Sequence, residues 1–189
     1  RGASGNTLNV YHMAIRFLME DILDKRIKLN IRYSRVPEKL PRVLSKDEVK
    51  MLIGRISNWK HRLMIELLYG SGLRSSELLN IRVCDLHIPE AYGFVRSGKG
   101  NKDRMFILPK IVSEKIRNLI EIEKLSENDF LFLTNRKEQY SARSLQEIIK
   151  KSAKECGLRE VHCHTLRHSF ATHLIEQGQS VSEVQSLLG

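Results

Sequence analysis

The chain has 189 residues, a 41% hydrophobic share and a formal net charge of +10, from 32 Lys and Arg against 22 Asp and Glu. That apolar share supports a packed core and excludes wholesale disorder, and no apolar run approaches the ~20 residues of a membrane span. The positive surplus favours a polyanionic partner, above all nucleic acid, although a basic soluble domain without such a partner has the same bulk charge. The cysteines Cys84, Cys156 and Cys163 are odd in number and widely spaced. They make no disulfide framework and point to a reducing, cytoplasmic setting. No secretory signal is visible. The chain opens on Arg1 rather than a methionine and is expected to be a piece of a longer protein.

Residues 7–29 are expected to form a helix, because Leu8, Tyr11, Ile15, Leu18, Met19 and Ile22 recur at helical spacing. One helix cannot bury its own apolar stripe, so this one belongs to a domain that begins upstream or docks on residues further along the chain. Residues 32–42 read as an extended basic linker. Pro37 and Pro41 block helix, and Arg32, Arg35, Lys39 and Arg42 supply charge. An ordinary surface connection would carry the same residues. Ser45 and Glu48 make a capping box that opens a helix to about residue 56. A helix over 59–69 carries Leu63, Met64, Leu67 and Leu68; Gly70-Ser71-Gly72 breaks it, and a short helix over 75–81 comes next. Residues 84–108 change character. His87-Ile88, Gly93-Phe94-Val95-Arg96 and Met105-Phe106-Ile107-Leu108 read as strands, with Gly98, Gly100 and Asn101 turning between the last two. Helices return at 111–124 and 142–155, and again from His164 to near Gly178, a fitting terminal glycine. Ser180 and Glu183 form a second capping box before the last helix. The expected fold is mainly α with a small antiparallel β-sheet or hairpin.

Three motifs hold candidate chemistry: Gly72-Leu73-Arg74-Ser75-Ser76-Glu77-Leu78, Gly98-Lys99-Gly100-Asn101-Lys102-Asp103-Arg104, and His164-Thr165-Leu166-Arg167-His168-Ser169-Phe170. Attack on a DNA phosphodiester builds negative charge on the nonbridging oxygens, which fixed cations and hydrogen-bond donors must meet. Arginine suits that task because its planar fork binds two oxygens and stays charged. Arg74 and Arg167 are the candidates for a two-sided clamp. Glu77, three residues beyond Arg74, can hold its guanidinium in one rotamer, although a plain surface pair has the same spacing. Lys99, between two glycines, can approach a ligand closely; Lys102 competes with it and is placed second, as a phosphate contact. Arg96, Lys99, Lys102 and Arg104 make this hairpin locally basic. His164 shares a helix face with Arg167, and a histidine beside a scissile phosphate can accept or donate a proton. His168 and His173 are expected to be structural hydrogen-bonding groups. His162, Cys163, His164 and His168 cluster without a zinc-site spacing, so no metal is expected, and no Walker A sequence occurs.

In this order and at these approximate spacings, the three motifs resemble those of the tyrosine recombinases, the phage-integrase family that includes Xer-type recombinases and Cre. The resemblance covers about residues 44–189. It implies a tyrosine-recombinase catalytic domain over 44–189, a basic linker over 31–43, and in 1–30 the last helix of an N-terminal core-binding, SAM-like domain. It also implies site-specific recombination of double-stranded DNA through a 3′-phosphotyrosyl link, with no cofactor. On this resemblance Arg74 and Arg167 stabilise the transition state, Lys99 is the general acid and His164 the proton-transfer partner. Glu77 and His168 support them, and Arg42, Arg96, Lys102 and Arg104 contact DNA. The family's nucleophilic tyrosine comes after the second arginine. Tyr11, Tyr33, Tyr69, Tyr92 and Tyr140 all precede it, so no nucleophile is assigned and this chain by itself is expected to be inactive. The family works as a homo-tetramer on DNA, whereas this chain alone is expected to be a monomer, away from any membrane. A non-catalytic DNA-binding module and a type IB topoisomerase are the alternatives; the motif wording at 73–78 and 164–170 argues against the second.

Overall fold

The computed structural model describes residues 2–25, 32–35, 40–96 and 103–189. The chain divides into two compact units, Arg1–Leu40 and Pro41–Gly189, a division that falls inside the basic stretch read as a linker.

In the first unit the Ser4 hydroxyl accepts the Thr7 N–H at 3.2 Å and so caps helix α1 (Gly5–Phe17). The helix continues as one π-helical turn over Leu18–Ile22 and stops there, short of the expected residue 29. Asp24 comes next with φ of 47°, a left-handed conformation that ends the helical path. Asn9 binds the Ser34 backbone in both directions, its Nδ2 donating to the carbonyl at 3.0 Å and its Oδ1 accepting the N–H at 2.8 Å. His12 and Tyr33 lie ring against ring, 4.7 Å between centroids. Tyr11, Ile15 and Ile22 remain exposed.

The second unit runs α2 (Lys46–Gly54), α3 (Trp59–Gly70), α4 (Ser75–Asn80), β1 (Leu86–His87), β2 (Tyr92–Val95), β3 (Arg104–Ile107), α5 (Lys110–Glu123), α6 (Ala142–Glu155), α7 (Cys163–Glu176) and α8 (Val181–Leu188). Both expected capping boxes form, at Ser45 with Glu48 and at Ser180 with Glu183. Helix α3 buries Leu63, Met64, Ile65, Leu67 and Leu68, apolar residues on nearly every side of the helix. It therefore sits centrally, packed against α2, α5 and α7. Leu52, Leu78, Phe106, Phe132, Ile149 and Leu166 complete the fully buried core around it.

The strands form an antiparallel sheet in the order β1-β2-β3, with Tyr92 opposite Ile107 and Val95 opposite Arg104. Each strand starts one residue earlier than its apolar run suggested. Side chains alternate across a strand, so Arg104 shares a face with buried Phe106, while Met105 and Ile107 face outward. The expected turn residues Gly98, Gly100 and Asn101 lie outside the described residues. Among the described residues, no helix is long and apolar enough to cross a membrane.

Candidate active site

The site begins at the break after α3. Gly72 has φ of +59°, and a Cβ there would stand 2.4 Å from the Phe170 ring and 2.9 Å from Leu188. Only glycine fits both the backbone conformation and that contact. The Ser71 hydroxyl donates to the Ile107 carbonyl at 2.6 Å, tying the turn to β3. The turn in this way delivers Arg74 to the start of α4, against the ends of β3, α7 and α8.

One carboxylate organises the side chains that converge there. Glu77 has only 4% of its side chain exposed, which rules out the plain surface pair that its spacing from Arg74 also allowed. Its Oε1 accepts from Arg74 Nη1 at 2.6 Å, and its Oε2 accepts the Arg74 backbone N–H at 2.8 Å. The same Oε2 accepts from Arg104 Nη2 at 2.6 Å, and Arg167 Nη1 stands 3.6 Å away. Burial pushes the Glu77 carboxyl up, but the Arg74 N–H and the arginine forks outweigh it and hold it below the usual carboxylate range.

The arginines are also fixed from their far sides by consecutive carbonyls at the end of α8. Arg104 Nη1 donates to Leu187 at 2.7 Å, Arg167 Nη2 to Leu188 at 2.7 Å, and Arg74 Nη2 to Gly189 at 2.8 Å. Arg167 Nη1 donates to the Gly72 carbonyl at 2.7 Å, closing α7 onto the glycine turn. Burial, and then the repulsion of Arg74, lower the Arg167 guanidinium to about 10, with Glu77 opposing and Arg104 adding to the fall. It stays charged at neutral pH, in surroundings that a further anion would improve.

The remaining candidates divide between exposed and buried positions. His164 is exposed one turn before Arg167 on α7. His168 is also exposed and has no hydrogen-bond partner among the described residues. His173 is buried and does have one, since its Nδ1 lies 2.7 Å from the Tyr69 hydroxyl. Lys99 and Lys102 lie outside the described residues. Arg104, expected on DNA, keeps only 11% of its side chain exposed and faces Glu77 instead. Arg96 remains 60% exposed, leaning over the Phe94 ring and paired with Asp85 at 3.1 Å and Asp103 at 3.3 Å. Arg42 Nη2 stands 3.7 Å from Glu48. Among the described residues, no group of three or more His, Cys, Asp or Glu side chains is placed to hold a metal ion. The sequence held no local sign of the inward Arg104 or of the α8 carbonyls. Both contacts are non-local, and the strand register alone turns Arg104 inward.

The Phage integrase family model matches residues 42–189, the stretch that holds all of these groups. The chain belongs to the phage integrase family. It is 37% identical over its whole length to the tyrosine recombinase XerA of Thermococcus kodakarensis, covering 68% of that protein, and 36% identical to XerA of Pyrococcus horikoshii, covering 66% of it. Among solved structures, the XerH site-specific recombinase bound to difH substrate in a pre-cleavage complex superposes with a TM-score of 0.80 at 27% identity. That match covers 100% of this chain and 59% of XerH. The chain therefore spans roughly two thirds of the length of the two XerA relatives and less of XerH, and its second unit has the fold of a tyrosine-recombinase catalytic domain.

Proposed function

We propose that this chain supplies the scissile-phosphate site of a site-specific recombinase that breaks and rejoins double-stranded DNA through a 3′-phosphotyrosyl link. The observation that carries the reading is the convergence of Arg74 and Arg167, from α4 and α7, around one buried carboxylate, with cations in excess of anions. Each guanidinium uses one N–H on each Nη for protein acceptors and keeps further donors for phosphate oxygens. XerH, the structural relative, is bound to its DNA substrate, which supports double-stranded DNA as the partner here.

In the reaction, a tyrosine oxygen attacks phosphorus, the bond from phosphorus to the 5′-oxygen breaks, and that oxygen takes a proton. The tyrosine–phosphorus bond keeps the phosphodiester energy, so a 5′-hydroxyl of another strand reverses the step without ATP. Arg74 and Arg167 hold the nonbridging oxygens as charge builds on them. Lys99 gives the proton to the leaving oxygen, and exposed His164 manages the tyrosine proton. Arg42, Arg96 and Lys102 meet the flanking backbone. Residues of the first unit belong to a core-binding domain, and the working assembly is a homo-tetramer on DNA.

The test uses the polypeptide at the full length its gene encodes, a nicked suicide duplex and no divalent metal, with denaturing gels to find a covalent protein–DNA adduct. The expected result is an adduct that disappears in Arg74→Ala and Arg167→Ala. Salt-dependent DNA binding with no adduct would overturn the covalent chemistry in favour of a DNA-binding module. Relaxation of supercoils without site preference would favour a topoisomerase.

A further inference from the structure

We infer that Arg104 is a positioning residue that keeps Arg167 available for phosphate by occupying Glu77. The inference rests on the phosphate-site reading of Arg74 and Arg167 and assigns Arg104 a task inside that site rather than on DNA.

The geometry points to competition for one oxygen. Glu77 Oε2 accepts the Arg74 backbone N–H and Arg104 Nη2, at 2.8 and 2.6 Å. Arg167 Nη1 stands 3.6 Å from that same oxygen and instead donates to the Gly72 carbonyl at 2.7 Å. A carboxylate with one arginine partner attracts the next guanidinium into a close pair. Arg104 takes that place, so Arg167 remains loosely held by the acid. Charge counting gives the same result. Arg74 and Arg104 already exceed the single negative charge of Glu77 by one, so the charge of Arg167 is left over for the substrate.

Arg104 is poorly explained as filler. It stands at an inward strand position beside buried Phe106, where an apolar side chain would pack without desolvating a cation. Its Nε is buried with no hydrogen-bond partner among the described residues, an unfavourable state for a donor. The side chain does achieve a fork with one arm on Glu77 and the other on the Leu187 carbonyl of α8. It joins β3, α4 and α8 at the carboxylate that the other arginines share.

If Arg104 works through Glu77, removing it lets Glu77 draw Arg167 into a close pair, and phosphate binding weakens. Removing the Glu77 charge as well restores it. A merely structural role predicts no such rescue. The experiment titrates inorganic phosphate into the chain of residues 1–189 and tracks the arginine side-chain 15N–1H signals. In the unaltered chain, phosphate should shift the Arg74 and Arg167 signals together; no shift in either would overturn the phosphate-site reading itself. Arg104→Gln should weaken phosphate about tenfold, the scale of one charge-assisted contact, and Glu77→Gln in that background should recover most of the loss. Unchanged affinity in Arg104→Gln, or a loss that Glu77→Gln leaves in place, overturns the inference while the phosphate site stands. Should Arg104→Gln fail to fold, Arg104→Lys, which keeps a point charge without the fork, should show a loss of about threefold with the same rescue. A loss in that variant without rescue is equally contrary.

Discussion

Two carboxylates, part-buried Glu123 and buried Glu77, show how similar ingredients serve different ends. Lys60, 8% exposed, donates to Glu123 at 2.7 Å and to the Leu133 carbonyl at 3.1 Å, pinning α3 to α5 and to the segment between α5 and α6. There one buried cation meets one carboxylate, and the remaining partner, Lys137, is 61% exposed. At Glu77 the partners are Arg74, Arg104 and Arg167, with side chains 24, 11 and 12% exposed. The first pair is balanced and complete. The second holds more partly buried positive charge than its acid can neutralise, an excess that a bound anion would offset on the phosphate-site proposal. Unbalanced buried charge, rather than buried charge as such, separates a site from a staple.

That contrast is most strongly tested by substitutions at each centre. Arg167→Ala should cut adduct formation by the full-length polypeptide about 10²–10³-fold, the usual cost of one fixed transition-state donor, with little loss of melting temperature. Lys60→Ala should do the opposite. It leaves Glu123 part-buried without its main partner and should cost about 3 kcal/mol in a denaturant titration, with phosphate affinity unchanged. Equal stability losses at both positions would erase the distinction. Tyr69→Phe removes a hydroxyl from buried His173, and about 1 kcal/mol should be lost in the same titration. Acid gives a finer comparison. The Glu77 carboxyl is depressed in the folded state, so its stabilisation is complete above its unfolded pKa and disappears as pH falls through the lower folded value. Thermal melts should therefore show no Glu77 contribution to the slope between pH 7 and 5, a fall only below about pH 4, and a flatter acid limb in Glu77→Gln. The smallest effect belongs to exposed Arg96. Arg96→Ala should leave stability essentially unchanged while lowering the salt slope of DNA binding by about 1.

Much of the architecture was legible because its causes are local. Ser45 with Glu48 and Ser180 with Glu183 mark helix starts through contacts three residues apart, and the helices begin there. The pairing of Arg74 with Glu77 is local in the same sense. The features that escaped depend on distant parts of the chain. The strand pattern reads one residue late, which puts polar Arg104 outside its strand. Only pairing with β2 shows that it faces inward beside Phe106. The carbonyls of Leu187 and Leu188 carry no side-chain signal at all, and they enter the site because α8 packs against α7 and β3. Lys60 looks like any solvated lysine on a helix; its burial comes from Glu123, far along the sequence. The early end of the first helix at Ile22 has no counterpart in its apolar spacing, which continues unchanged to that point.

The claim that Arg74 and Arg167 form one anion clamp is open to direct inspection. Crystals of the chain soaked in tungstate, a tetrahedral dianion with a strong anomalous signal, would locate the anion site without reference to activity. The expected result is an anomalous peak within hydrogen-bond reach of both guanidiniums, with Glu77 still held by Arg104. A peak at Arg96 or Arg42 with none between Arg74 and Arg167 would contradict it.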